Sequence, residues 1–153
     1  MIALVNRMAL RTQLEINASQ ERVWSVLQDY RKWQEWNSFL KINHAAGTLS
    51  PGEALQVTFQ PPGRAATTMG PQVIDFQVGS EFKWRGKLWG TSLFFVGEHY
   101  FKLQSLGQGK TLLLHGEDFK GCLVPLLGSM LKDTEKGFQD FNNGLKQAAE
   151  AAQ

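Results

Sequence analysis

Between residues 39 and 120 the chain runs as short alternating apolar and polar segments, each closed by a turn rich in glycine or proline. No other feature constrains its fold as much. Segments at 39–46, 53–60, 66–78, 80–90, 92–105 and 110–120 carry the two-residue period of half-buried strands. Ser50-Pro51-Gly52, Pro61-Pro62-Gly63, Gly79-Ser80, Gly90-Thr91 and Gly107-Gln108-Gly109 punctuate them. Connections this short join antiparallel neighbours, because parallel pairing needs a long crossover.

The flanks differ. Residues 8–17 form one more alternating run, with Met8, Leu10, Thr12, Leu14 and Ile16 on one parity. Asn17-Ala18-Ser19 then offers turn and N-cap chemistry, and Glu21 falls where a helix dipole favours an acid. Val23, Trp24 and Leu27 have helical spacing, and a second short helix is expected over 31–36. The chain closes on a long amphipathic helix at about 124–149, striped by Leu127, Met130, Thr134, Phe138, Phe141, Leu145 and Ala148. Pro125 is tolerated in its first turn. Gly128, Gly137 and Gly144 each cost such a helix about 1 kcal/mol relative to Ala. They either thin it where something packs closely or mark a bend.

An antiparallel sheet with one apolar face must cover that face, and the last helix has the length and stripe to do so. The expected fold is α+β: a curved antiparallel sheet of about seven strands wrapped around a long C-terminal helix, with two short helices after the first strand. Residues 1–153 are read as a single domain, since ~100–150 residues is the usual domain size. That size leaves no separate cofactor lobe, and no cofactor is expected.

Sixteen basic residues face fourteen acidic ones, without the concentrated basic footprint of a nucleic-acid binder. Lys83, Arg85 and Lys87 alternate as a solvated strand face does. Cys122 is the only cysteine, so there is no internal disulfide and no multi-thiolate zinc site. It is expected to be a buried or partly buried residue at a strand end. No apolar run approaches the ~20 residues of a membrane helix, and residues 1–10 do not read as a secretory leader. The expected location is cytoplasmic.

Several short motifs follow one another in a set order. Ala18-Ser19-x-Glu21-x-Val23-Trp24 comes after the first strand; Asp29, Trp33 and Trp36-Asn37 with Phe39 come next. Phe82-x-Trp84-x-Gly86, His99-x-Phe101-x-Leu103 and the stretch from His115 through Phe119 to Gly121 lie on later strands. Phe141-Asn142-x-x-Leu145-Lys146 sits on the last helix. Together they resemble the helix-grip fold of the START-related, polyketide cyclase/dehydrase-like (SRPBCC) superfamily. Ser38 stands where many relatives have proline. The resemblance implies a deep hydrophobic cavity for small lipophilic ligands.

Strand parity nominates the lining. Phe82, Trp84, Gly86 and Leu88 oppose the basic residues of their strand and are read as inward. Phe95, Gly97, His99, Phe101 and Leu103 form the more apolar face of the next. On 110–120 both phases contain leucines, so the direction of His115 and Glu117 stays open; a one-residue slip would turn them to water. If inward, His99, His115 and Glu117 are candidate catalytic residues on adjacent strands. A carboxylate beside an imidazole raises the imidazole pKa toward working pH, with His99 as acid or base and Glu117 as its orienting partner. The plain alternative is a structural polar cluster. Two histidines and a carboxylate are ligand-type groups, but nothing further supports a metal site, and none is expected.

The candidate ligand-binding residues are Trp36, Phe39, Phe59, Met69, Trp84, Leu88, Phe95, Phe101, Phe119, Met130, Phe138, Phe141 and Asn142. Core packing is the competing role for each aromatic. The methionines are adaptable fillers. Trp33 and Trp89 are placed at the mouth or outer shell, His44 on the surface, and residues 60–64 in a hairpin turn. Three functions remain open: binding of a small hydrophobic ligand, a cyclase or dehydratase using a cavity acid–base pair, and a protein-interaction module. The expected state is a monomer or a homodimer, for which Phe94, Val96 and Tyr100 on the outer parity offer a contact.

Overall fold

Gly70-Pro71 interrupts what alternation alone reads as one strand over 66–78, and this break shapes the molecule. Proline has no N–H to give a ladder. The computed structural model describes residues 6–45, 49–87, 91 and 93–151. In chain order its elements are β1 (Arg7–Ile16), α1 (Gln20–Gln28), a 3-10 turn (Tyr30–Glu35), β2 (Leu40–Ala45), β3 (Leu55–Phe59), β4 (Thr67–Met69) and β5 (Gln72–Gln77). Then come β6 (Glu81–Lys87), β7 (Val96–Gly107), β8 (Lys110–Lys120), a 3-10 turn (Val124–Leu127) and α2 (Gly128–Glu150). The order matches a helix-grip α+β fold.

The strands form two antiparallel sheets instead of one seven-stranded sheet. The larger has the order β1-β8-β7-β6-β5, and the smaller is β2-β3-β4. The Pro71 carbonyl accepts from the Leu55 N–H at 2.8 Å, and Glu53 and Val73 bond across the same seam. The small sheet therefore leaves the large one at the proline and bends over its apolar face.

Three side chains set the ends. Ser19 Oγ accepts from the Arg22 N–H at 3.2 Å and caps α1. The Arg22 guanidinium reaches back to the Ala148 and Ala149 carbonyls, both at 3.1 Å, and closes the C-terminus of α2. Asn37 Oδ1 accepts from the N–H groups of Phe39 and Leu40, at 2.9 and 2.8 Å, which turns the chain into β2.

The expected glycines of α2 thin the helix at two places. A Cβ on Gly137 would strike the Phe39 ring, and one on Gly144 would strike the Trp36 carbonyl. At this end helix and sheet close on a solid aromatic core. Trp33, Phe101, Phe138 and Phe141 are fully buried, and the Phe141 ring lies 5.0 Å from that of Trp33 and 5.3 Å from that of Phe101. Trp33 donates its indole N–H to the Leu27 carbonyl inside this core, so it is not at a cavity mouth. Val96 is also buried, and Tyr100 lies across Gly116. Cys122 is exposed just past β8, not buried as expected. Among the described residues no helix is long and apolar enough to cross a membrane.

Candidate functional site

Toward the start of α2 the helix stands away from the sheet and leaves a cavity of about 310 Å³. Its walls come from every layer. The small sheet contributes Leu40, Val57, Phe59 and Met69, with Phe39 just before it; β6 and β7 contribute Trp84, Gly86, Gly97 and His99; β8 contributes Glu117 and Phe119. Leu127, Met130, Leu131, Thr134 and Phe138 line it from α2 and the turn before it, and Phe95 and Leu123 from loops. Thr67 and Thr68, both exposed, mark its mouth at β4. Beside that mouth Arg64 ties the β3–β4 hairpin to α2, bonding Asp133 at 2.5 Å and Ser129 at 3.1 Å.

Of the nominated residues, the structure brings Phe39, Phe59, Met69, Trp84, Phe95, His99, Glu117, Phe119, Met130 and Phe138 to this cavity. Trp36, Phe101, Phe141 and Asn142 depart from expectation: they pack in the solid end of the core. The helical stripe is continuous, but Gly144 lets α2 press against the turn at Trp36, and the space there is filled. His115 also lies behind the wall, fully buried. Leu88 and Trp89 lie outside the described residues, as does the side chain of His44.

β8 has the inward phase. His99 pairs with Glu117 and Phe101 with His115 across the β7–β8 ladder. The inner side chains form one hydrogen-bonded line. Thr12 Oγ1 donates to the His115 carbonyl at 2.7 Å, which uses its only proton. Asn142 Nδ2 donates to Thr12 Oγ1 at 2.8 Å, so Asn142 Oδ1 faces His115 Nδ1 at 2.7 Å and accepts from it. His115 Nε2 is then bare, and His99 must donate to it from Nε2 across 2.8 Å. His99 Nδ1 is left with a lone pair, 3.4 Å from Glu117 Oε2.

The rings are held flat between aromatics. Trp84 stacks on His99 with centroids 4.5 Å apart, and Phe138 stacks on His115 at 4.3 Å. Burial pulls the His99 pKa down to about 3. Burial, then His99, pulls His115 well below the usual imidazole value, partly offset by Asn142. Burial pushes the Glu117 carboxyl up to about 8, with a smaller contribution from Asp118. The expectation that Glu117 would raise an imidazole is therefore reversed. Desolvation outweighs the pair attraction, and 3.4 Å is too long for a charge-assisted bond. These shifts favour neutral imidazoles and a protonated carboxyl near neutral pH, and the 18% residual exposure of Glu117 is turned to the cavity.

Leu40, Val57, Leu123 and Leu131 line the cavity without having been nominated, and Thr12 and Gly97 were read as inward positions but not as site residues. Thr12 shares the inward parity of Leu10 and Leu14, and a hydroxyl there was the available signal. Gly97 lies under Glu117, where a Cβ would collide with Oε1. Only a residue without a side chain lets the carboxyl settle there. Among the described residues no group of three or more His, Cys, Asp or Glu side chains is gathered to hold a metal.

Comparison with known proteins follows the same outline. The family model for polyketide cyclase/dehydrase and lipid transport matches residues 7–150. A comparison with curated proteins finds no match. Among solved structures, the Zhui aromatase/cyclase from Streptomyces sp. R1128 aligns with a TM-score of 0.72 at 14% identity, covering 95% of this chain and 94% of that one. Truncated norcoclaurine synthase from Thalictrum flavum aligns at 0.74 and 14% identity, covering 97% of each chain. Protein Ms6760 from Mycobacterium smegmatis aligns at 0.73 and 15% identity, covering 95% of this chain and 92% of that one. At such identities the likeness is one of fold.

Proposed function

The chain belongs to the polyketide cyclase/dehydrase and lipid transport family, and from that premise we propose that it takes up a small, largely apolar molecule, lipid-like or aromatic and polyketide-like, between its sheets and α2. The observation that carries this reading is the cavity itself, an aromatic-walled space of about 310 Å³ whose lining holds two titratable groups, His99 and Glu117. Ligand pockets of roughly 300 Å³ and more are mostly apolar, with a few placed polar groups. Met69 and Met130 give its wall adaptable surface.

Native mass spectrometry of the purified protein, followed by titration with an environment-sensitive hydrophobic probe, tests this. A co-purifying lipophile or saturable uptake is expected, and Leu127→Trp, which fills the lining, is expected to weaken it. A protein that carries nothing and takes up no probe would remove the reading.

A second reading, acid–base catalysis of the cyclase or dehydratase kind, is favoured by one observation: the Glu117 carboxyl, its pKa pushed up by burial, faces an apolar cavity beside His99. The roles then differ from those expected from sequence. Glu117 is the proton donor and His99 its orienting partner, because an imidazole whose pKa lies near 3 is a poor base. Two of the solved relatives are named as enzymes, an aromatase/cyclase and a synthase. Turnover of a candidate polyketide-type substrate that survived unchanged in both Glu117→Gln and His99→Ala would exclude this mechanism.

A further inference from the structure

The hydrogen-bonded line behind the cavity has a direction, and that direction sets what the cavity offers. It starts at a backbone carbonyl, which can only accept. Each later proton position follows from the one before: Thr12 to His115 O, Asn142 to Thr12, His115 Nδ1 to Asn142, His99 Nε2 to His115. The last atom, His99 Nδ1, is a lone pair turned toward Glu117. An ionised Glu117 would thus face an acceptor, and among the described residues no other side chain or backbone N–H donates to its carboxyl.

The surroundings agree. The β1 residue opposite Glu117 in the ladder is Leu10. The small sheet and α2 present no charged side chain to the cavity, and its described lining includes no Lys or Arg. On β7 the facing titratable group is neutral His99, and the adjacent charge on β8, Asp118, disfavours a second anion. With the carboxyl seated over Gly97, the cavity ends in a single acid that no described cation faces.

We infer that the cavity selects an uncharged ligand whose polar group is a carbonyl or hydroxyl oxygen, seated on the Glu117 carboxyl, and rejects carboxylates and phosphates borne on the same apolar body. This rests on the cavity-binding reading above and narrows its ligand class. Glu117 Oε2 lies 3.4 Å from the His99 lone pair, too far to hold the proton firmly, so a ligand carbonyl or hydroxyl oxygen at normal hydrogen-bond distance takes it instead. A buried ligand anion finds no cation among the described lining, and one hydrogen bond from Glu117 offsets only part of its desolvation cost.

Three probes with one ring system separate the possibilities: naphthalene, acetonaphthone and naphthoate, titrated by calorimetry against the wild-type protein, Glu117→Gln and Glu117→Leu. At neutral pH the ketone is expected to bind about tenfold more tightly than naphthalene, as one buried hydrogen bond allows. Naphthoate is expected to bind more weakly than either. The ketone does not titrate, yet its advantage should fall in wild type as the pH passes about 8. Glu117→Gln cannot ionise, so its pH profile should be flat; Glu117→Leu should treat ketone and hydrocarbon alike. Naphthoate binding as tightly as the ketone would overturn the inference, and so would a ketone preference that survives in Glu117→Leu. Should that variant fail to fold by circular dichroism, the wild-type and Gln pH profiles decide, and two flat profiles overturn it. Failure of every probe to bind would instead remove the cavity reading beneath it.

Discussion

The carboxyl of Glu117 rests over the Cα of Gly97, in a space that one methyl group would occupy. Since the two residues lie on neighbouring strands, this contact fixes how far the acid projects into the cavity.

Gly97→Ala is therefore expected to displace the Glu117 side chain while leaving the ladder paired. Because the carboxyl is the mobile end of a flexible side chain, its displacement should cost no more than about 1 kcal/mol of stability. Urea denaturation measures that cost, and the wild-type pH dependence of ligand uptake should disappear in the same variant. Unchanged stability together with an unchanged pH profile would show that the carboxyl does not need this space.

The tautomers are directly observable. Heteronuclear NMR of the imidazole nitrogens should find His115 protonated at Nδ1 and His99 at Nε2, both neutral at pH 7. Asn142→Leu removes the acceptor of His115 Nδ1 and leaves a buried donor unpaired, at a cost of about 1–3 kcal/mol. A His99 protonated on both nitrogens at neutral pH would contradict the order derived for the line.

The buried groups give stability a characteristic pH profile. His99 and His115 have lowered folded pKa values, so their contributions are complete above the unfolded value of 6.5 and are lost as pH falls, for His99 through about 3. Glu117 has a raised folded pKa, so its contribution is complete below the unfolded value of 4.5 and is lost as pH rises through about 8. Between 4.5 and 6.5 the imidazoles oppose the single carboxyl; above 6.5 only Glu117 acts. Thermal unfolding across pH should show a maximum near 6.5 and a decline toward 8, with the decline absent in Glu117→Gln.

The helix glycines should respond in opposite ways to alanine. At Gly128 a Cβ meets nothing within 4 Å, so Gly128→Ala is expected to stabilise by up to about 1 kcal/mol. At Gly144 a Cβ collides with the Trp36 carbonyl, and Gly144→Ala is expected to destabilise by about 1–3 kcal/mol. Chemical denaturation of the two variants side by side checks the contrast; equal effects would mean that α2 does not press on the turn at Trp36.

Much of the architecture was legible because alternation and turn residues act locally. The inward face of β7 could be read from Gly97, His99 and Phe101 alone. β8 could not, since Leu112 and Leu114 are half-buried on its outer face and blur the parity. The split of the sheet at Pro71 was present in the residue itself but outweighed by the apolar run around it. The separation of Trp36, Phe101 and Phe141 from the cavity was not legible, because it depends on the distance between helix and sheet. At that end α2 packs closely on the segment before β2, through Gly137 against Phe39 and Gly144 against Trp36, and periodicity does not measure such approaches. The reversed proton affinities of His99 and Glu117 follow from burial depth, another quantity the one-dimensional pattern lacks.

Arg22 holds the last carbonyls of α2 beside the packed aromatic end, far along the helix from the residues that line the cavity. The molecule thus separates endurance from selectivity along a single helix. Substitutions over its first turns, around Leu127, Met130 and Thr134, retune what the chamber admits, while those after Phe138 decide whether there is a folded chamber at all.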